Sequence, residues 1–280
     1  MNRQKLGISI VQIVLLLLLF GACKKAKDGC LDVGAANYDP SADNTCCCVY
    51  PKLTLETYFK TDTVTSRGDS LITFFYDKKY TTDGVQFFSI HKIKFYLSDF
   101  QFIRADGSVA TVSDTFHIGN SKDSFARKDI LLVSPDNQSF KSFSLGTFAD
   151  NGFFTTLQFR VGLSDYFNQV DTTKFAANSV LGVQPDTMWN ASKGYFFNKI
   201  SFQRDTVAGL LPSQIIISKP QAALVSLSFN RKIRVGYDIT LKLGINFKKW
   251  FQNVQFSTDD DLTVANTIFS NTSSAFFVLP

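Results

Sequence analysis

Strict alternation of apolar and polar residues is the feature that most limits how this chain can fold. In the stretch 233–247, eight apolar side chains occupy every second position, and polar residues or glycine stand between them. Successive side chains of a β-strand point to opposite faces of the sheet, so this pattern is typical of a strand with one buried and one wet face. It predicts one long strand, or two strands broken near Gly244.

Similar alternating runs recur along the chain after Lys52. Turn signals separate them, among them Asp83-Gly84, Asp106-Gly107 and Asn151-Gly152. The 29 Phe and 9 Tyr residues suit pleated surfaces. We therefore predict an all-β, immunoglobulin-like antiparallel β-sandwich with long loops over residues 52–280. Helical turns are expected only at 164–174 and 247–251, and the three aspartates at 259–261 are expected to form a solvated loop.

The N-terminal segment predicts export and lipid anchoring. A basic start at Arg3 and Lys5 leads into an apolar stretch, Ile13–Phe20, which Gly21-Ala22-Cys23 follows. This stretch is too short to span a bilayer comfortably, as in an export signal. Small residues before a cysteine resemble a bacterial lipobox, in which Cys23 becomes the first mature residue and carries lipid on its thiol and amino group. A plain signal peptide with an incidental cysteine is the alternative.

Removal of the predicted signal peptide, residues 1–22, affects the expected location of the protein and its expected partners. Lys24 and Lys25 do not match the aspartate that retains lipoproteins in the inner membrane, so an outer-membrane location is expected, facing the periplasm or the exterior. Loss of Arg3 and Lys5 lowers the formal charge from +5 to +3 (5 − 2 = 3), and the remaining basic residues are scattered. We therefore expect the membrane as a partner and no nucleic acid.

All the cysteines fall in the first 48 residues, which predicts a small disulfide-linked module. If Cys23 is acylated, an even number remains for an oxidising compartment: Cys30, Cys46, Cys47 and Cys48. A bond between adjacent cysteines would be strained, so Cys30 is expected to pair with one of the other three. The leftover pair could form a disulfide or bind a soft metal as thiolates. Residues 23–51 would thus contain a tether and the module.

Three motifs in the central part of the chain occur in the order of a known family. The first is Phe95-Tyr96-Leu97-Ser98-Asp99, followed by Asp106-Gly107. The second is the segment 162–168, G-L-S-D-Y-F-N, and the third is the segment 186–199, with D-T-M-W-N at its start and G-Y-F-F-N-K at its end. In this order they resemble the MbnP-like family of exported copper-binding proteins, over residues 52–250.

The resemblance implies a β-sandwich with a copper site near a methionine and a tryptophan. The matching positions are Met188 and Trp189, and His91 is a further candidate ligand; the other histidine is His117. Thioether and imidazole groups both suit copper. A dihaem oxidase-like partner or a metal-uptake receptor is implied as well. The histidine that the family often carries near Phe59, and another after the Gly-Tyr segment, are absent from this sequence.

The sequence favours a binding protein over an enzyme. It contains no G-x-S-x-G, no H-E-x-x-H and no Gly-rich phosphate loop. Asp165 and Asp186 could meet across a cleft as acid and base, although aspartates at strand ends are first of all turn residues. The alternative to copper binding is a surface interaction or glycan-binding lipoprotein that has lost the metal site. In it Tyr166, Phe167 and Trp189 would stack on the ligand.

Overall fold

Two β-sheets packed face to face form the main body of the protein. The computed structural model describes residues 25–65, 68–81, 86–118, 125–164, 166–167, 170–176, 179–182, 188–204, 209, 211–218 and 222–280. Strands are numbered along the chain: β1 (Asp28–Gly29), β2 (Asn44–Thr45), β3 (Lys52–Thr65), β4 (Gly68–Thr73), β5 (Lys79–Thr81), β6 (Phe87–Ile103), β7 (Val109–Ala110), β8 (Thr115–His117), β9 (Phe125–Arg127), β10 (Leu131–Val133), β11 (Phe140–Thr147), β12 (Gly152–Val161), β13 (Trp189–Asn190), β14 (Gly194–Arg204), β15 (Ser213–Ser218), β16 (Ala223–Ile233), β17 (Ile239–Asn246) and β18 (Phe276–Val278).

The larger sheet runs in the order β13-β14-β6-β12-β16, with β5, β7 and β10 paired to β6 and β15 paired to β14. The smaller sheet runs β11-β3-β17-β18, with β4 paired to β3. Their facing surfaces share one apolar core, to which β3 contributes Leu53 and Leu55 and β6 contributes Phe95 and Leu97. Tyr96 points to the opposite face, as alternation requires. The predicted all-β sandwich is confirmed.

One pairing within the two main sheets departs from the predicted antiparallel arrangement. Strands β3 and β17 run parallel, with Leu53 opposite Ile239 and Lys60 opposite Asn246. The other pairings among the described strands of these sheets are antiparallel. Parallel neighbours need a long crossover connection, and here the strands of the larger sheet lie between the two in the chain.

The long alternating stretch forms two strands, but the break is not at Gly244. Strand β16 ends at Ile233 and β17 begins at Ile239, with a turn between them. Gly236 lies in this turn with a φ of 74°, a conformation that glycine adopts without steric cost. Gly244 is inside β17 instead and pairs with Phe277 of β18. The Phe277 ring lies over Gly244, so an added Cβ would collide with that ring.

Two α-helices occur in the described residues, and one of them corrects the sequence prediction. Helix α1 (Phe247–Trp250) falls in the predicted segment 247–251, whereas helix α2 (Asp261–Asn271) begins where a solvated loop was expected. The Asp260 carboxylate caps α2 by accepting a hydrogen bond of 2.8 Å from the Thr263 N–H. The apolar side of α2 faces the core. No helix in the described part of the chain is long and apolar enough to cross a membrane.

The cysteine module precedes the sandwich and contacts it. Strands β1 and β2 pair in parallel, and a disulfide joins Cys30 to Cys48, within the set of pairings expected from the sequence. The module rests on the turn at Gly236, where an added Cβ would lie 3.1 Å from the Ala35 carbonyl oxygen. The signal segment and Cys23 lie outside the described residues.

Candidate functional site

Met188 and Trp189 lie on the outer face of the larger sheet, in a second apolar cluster. Its buried members are Tyr96, Ile118, Ala126, Ile130, Leu163, Phe167, Val170, Leu181, Met188, Tyr195 and Phe197. Met188 is 3% exposed, and Trp189 packs half-buried against the same cluster. The Met188 carbonyl accepts a hydrogen bond of 2.6 Å from the Phe196 N–H, and Trp189 pairs with Tyr195. These contacts make the Met188–Trp189 segment a packing element of the fold.

The hydroxyl groups of two buried tyrosines anchor the segment 179–182, which covers this cluster. The Tyr96 hydroxyl donates to the Val180 carbonyl at 2.9 Å, and the Tyr195 hydroxyl donates to the Leu181 carbonyl at 2.8 Å. The two rings meet edge to face with centroids 6.0 Å apart. Burial raises the pKa of both phenols well above the usual range, so they stay neutral donors. The segment 179–182 is thereby held over the outer face.

His91 does not reach the Met188–Trp189 segment. Its Nδ1 lies 2.5 Å from the Asp77 carboxylate, and its Nε2 is buried without a partner in the described structure. On β14, the neighbours of His91 are at Ser201 and Phe202, whereas Trp189 pairs with Tyr195. Six residues of strand separate these positions by about 20 Å. The three predicted metal ligands are therefore not brought together.

The described residues do not fit the copper site that the resemblance implies. They contain no group of three or more His, Cys, Asp or Glu side chains that could hold a metal ion. Met188 belongs to a cluster of buried apolar and phenolic side chains, and the described members of that cluster include no imidazole or thiolate ligand for its thioether. His117 packs its ring edge against Phe125, with centroids 5.2 Å apart. Asp165 and Asp186, the predicted acid–base pair, lie outside the described residues.

The aromatic residues predicted to stack on a glycan do not form one exposed surface. Phe167 is only 4% exposed and belongs to the second apolar cluster, so its ring is not accessible to a ligand. Tyr166 is 40% exposed, and Trp189 is half-buried. The expected stacking role of Phe167 is therefore wrong, because side chains of the fold already cover the ring.

A polar pocket at the end of the smaller sheet is a different candidate site. We call it the Asp62–Phe277 pocket; its volume is about 490 Å³, and it is lined by Asp62, Ser70, Leu71, Asn246, Lys248, Lys249, Gln252, Ser274, Phe276 and Phe277. Strands β3, β4, β17 and β18 and helix α1 supply most of these side chains. The pocket therefore combines a carboxylate, two amides, two ammonium groups and aromatic rings, a mixture suited to a small polar ligand.

The polar wall of the pocket is preorganised. The Asp62 carboxylate accepts a hydrogen bond of 2.7 Å from the Asn246 amide and lies 3.1 Å from the Lys248 ammonium. Burial raises the pKa of Asp62, but the hydrogen bonds from Asn246 and Lys248 outweigh it and the pKa lies below the usual range. Asp62 is therefore a carboxylate at neutral pH. Lys249 and Gln252, at the rim, are exposed.

The aromatic wall depends on one glycine. The Phe277 ring lies so close to Gly244 that any side chain there would collide with it. Sequence reasoning missed this pocket, although two signals were present. Gly244 has no side chain of its own on the polar face of an otherwise regular strand, and Asn246 and Lys248 follow closely after it. Neither signal identifies Asp62, whose position depends on the parallel pairing of β3 with β17.

Asp99 and the buried carboxylate of Asp129 hold a bulge in β6. Asp99 is the last residue of the first motif that resembles the MbnP-like family. Asp99 has a φ of 58°, and its two oxygens lie 3.3 Å from Arg127 Nη2 and 3.0 Å from Arg160 Nε. Asp129, 1% exposed, accepts a hydrogen bond of 2.8 Å from the Phe100 N–H and lies 3.5 Å from Arg127 Nε. Burial raises the pKa of Asp129 to about 6, against the attraction of Arg127. This network stabilises the strand.

Comparison with known proteins places the sandwich in a family. The sequence model of the MbnP family matches residues 52–269. A solved structure, MbnP from Methylosinus trichosporium, matches with 12% identity and a TM-score of 0.38, covering 76% of this chain and 87% of that chain. The assignment does not rest on that structural match. A search of curated proteins gave no match. Because the family model covers well over half of the chain, this protein belongs to the MbnP family.

Proposed function

We propose that this protein is an exported, lipid-anchored binding protein that holds a small hydroxyl-rich molecule, such as a saccharide unit, in the Asp62–Phe277 pocket. The observation that carries this proposal is the lining of the pocket, where charged and amide groups face the same space as an aromatic ring. Sugar hydroxyls need both donors and acceptors, and Asp62, Gln252 and Lys249 supply them. The apolar face of a sugar ring can pack against Phe277. The volume is within the usual range for small-molecule sites.

Copper is not part of this proposal. The family resemblance favours it, but Met188 lies in a cluster of apolar and phenolic side chains, and His91 bonds to Asp77 far along the sheet. A copper ion at Met188 would have to replace buried packing with ligands that the described residues do not supply nearby. The geometry of the pocket instead supports the alternative of glycan binding or a surface interaction. The binding site would then be the polar pocket and not the predicted aromatic residues.

Binding to a glycan array tests the pocket. We expect the mature protein to bind a subset of glycans, and Gln252→Ala and Lys249→Ala each to weaken that binding about tenfold, because a hydrogen bond to the ligand contributes about 1 kcal/mol or more. Both residues are exposed, so the fold should tolerate their loss. Tyr166→Ala is the matched control and should bind as the parent does. An absence of glycan binding, or a loss seen only in Tyr166→Ala, would refute the site.

Metabolic labelling with palmitate tests the anchor. We propose that Cys23 carries the lipid and holds the protein at the outer membrane, since the segment before it resembles a lipobox. Cells that make the full chain should incorporate label and retain the protein in the membrane fraction. Cys23→Ala should lose both, whereas Cys47→Ser should keep both. Label retained by Cys23→Ala would mean that another residue is acylated.

A further inference from the structure

Two adjacent cysteines in the module are left without a disulfide partner elsewhere in the described part of the chain. Cys46 and Cys47 are free thiols next to the closed Cys30–Cys48 bond. The Cys46 and Cys47 sulfurs are in direct contact, 2.7 Å apart, and Cys47 is exposed to solvent. The binding function proposed above makes no use of this pair. An accessible pair of thiols in direct contact is a reactive arrangement.

The backbone holds the pair in place from both sides. The Cys46 N–H donates to the Gly29 carbonyl at 2.8 Å. The Asn37 side-chain N–H donates to the Cys47 carbonyl at 2.8 Å, and the Asn37 side-chain oxygen accepts a hydrogen bond of 2.8 Å from the Val49 N–H. Cys47 has a φ of 56°, which a residue with a side chain rarely adopts. The two sulfurs are therefore kept together by contacts that do not depend on their own chemistry.

We propose that Cys46 and Cys47 form a reversible vicinal disulfide, a redox site separate from the structural Cys30–Cys48 bond. In the forward step, the Cys47 thiolate attacks the disulfide of a small or protein oxidant and releases one thiol. Cys46 then gives up its proton, attacks the Cys47 sulfur, displaces the second thiol and closes the Cys46–Cys47 bond. The pair loses two protons and two electrons, and the oxidant disulfide gains them as two thiols. That the pair meets an oxidant after export rests on the proposed function. The disulfide chemistry of the purified protein does not.

The same pair should also be easy to reopen. A bond between adjacent residues closes a small strained ring, and strained or exposed disulfides are the labile ones. Contact with the Cys47 thiol, together with burial, raises the pKa of the Cys46 thiol to about 11. Reduced Cys46 is therefore protonated at neutral pH, so Cys47, the more exposed sulfur, is the attacking group. Cys30 is buried, which protects the neighbouring structural bond.

Oxidation of the full-length protein in detergent, followed by mass spectrometry, tests the proposal. After treatment with oxidised glutathione, acid quenching and maleimide labelling, we expect no label and no retained glutathione at Cys46 or Cys47. A titration with reductant should then expose two thiols, at Cys46 and Cys47, at a concentration ~10-fold or more below that needed to open Cys30–Cys48. Two thiols still labelled after oxidation, or a peptide joining Cys30 to Cys46 or Cys47, would overturn the proposal.

Single variants provide the control for the displacement step. In Cys46→Ser and Cys47→Ser, the remaining thiol has no neighbour to displace glutathione, so each variant should keep one glutathione after the same oxidation. Neither thiol has a structural disulfide to lose, so folding should be unaffected. Glutathione retained by the parent protein to the same extent as by the variants would show that the pair does not close.

Discussion

Replacing Trp250 by alanine should lower the free energy of unfolding by about 3–5 kcal/mol, because it opens a large cavity between the two sheets. Trp250 is fully buried in helix α1. Its ring meets those of Phe95 and Phe247, with both centroid distances 5.2 Å, and also packs near Phe276. These residues belong to both sheets and to the helix between them. Loss of the indole therefore removes contacts that hold the sandwich together.

The loss of stability in Trp250→Ala can be measured from the urea midpoint or from the melting temperature. The melting temperature should fall by roughly 6–20 °C for a domain of this size. The control is Trp250→Phe, which keeps much of the packing. The indole Nε1 has no hydrogen-bond partner among the described residues, so phenylalanine also removes a buried unsatisfied donor. We expect Trp250→Phe to cost less than half as much as the alanine variant. Equal costs for the two variants would contradict the assigned packing role.

Replacing Asp129 by asparagine should remove a pH-dependent part of the stability. The pKa of Asp129 is raised to about 6, whereas the unfolded chain loses this proton near pH 4. Between these values the folded state binds more protons, so stability falls as the pH rises from about 4 to 6 and the contribution is then constant. The cost to the parent protein at pH 7 is on the order of 2–3 kcal/mol relative to pH 4.

Unfolding in urea at pH 4 and at pH 7 checks this prediction. The stability of Asp129→Asn relative to the parent protein should increase between the two pH values, since its amide still accepts from the Phe100 N–H but does not titrate. Other groups titrate equally in both proteins and cancel in the difference. Asp129→Ala is the matched control: it leaves the Phe100 N–H unsatisfied and should be destabilised at both pH values by about 1–3 kcal/mol. A stability difference between Asp129→Asn and the parent protein that does not change with pH would contradict the account.

The sequence predicted most of the sandwich because alternation reports directly on which face of a strand is buried. Helix α2 was missed for a specific reason. Its start carries the aspartates at 259–261, which are equally typical of a loop, and its apolar side rests on few positions, mainly Val264 and Ile268. Their spacing of four residues, with Thr263 three residues after the capping Asp260, was the available signal.

The candidate site was much less predictable than the fold. Asp62 and Asn246 are 184 residues apart in the chain, and only the parallel pairing of β3 with β17 brings them together. Alternation shows which side of a strand is buried but not which strand is its neighbour. The resemblance identified the family correctly, yet the residue types at Met188 and Trp189 did not reveal that they pack into a closed apolar cluster.

The most direct test of this account is whether copper binding depends on Met188. Cu(I) should be titrated against a competing chelator in mature protein carrying Cys46→Ser and Cys47→Ser, because those thiols suit Cu(I) themselves. Met188→Leu, which conserves volume and should fold, is then compared in the same background. We expect the two proteins to bind Cu(I) equally weakly, within about twofold. A loss of tenfold or more in Cu(I) affinity in Met188→Leu would show that this segment is a metal site and would contradict the account.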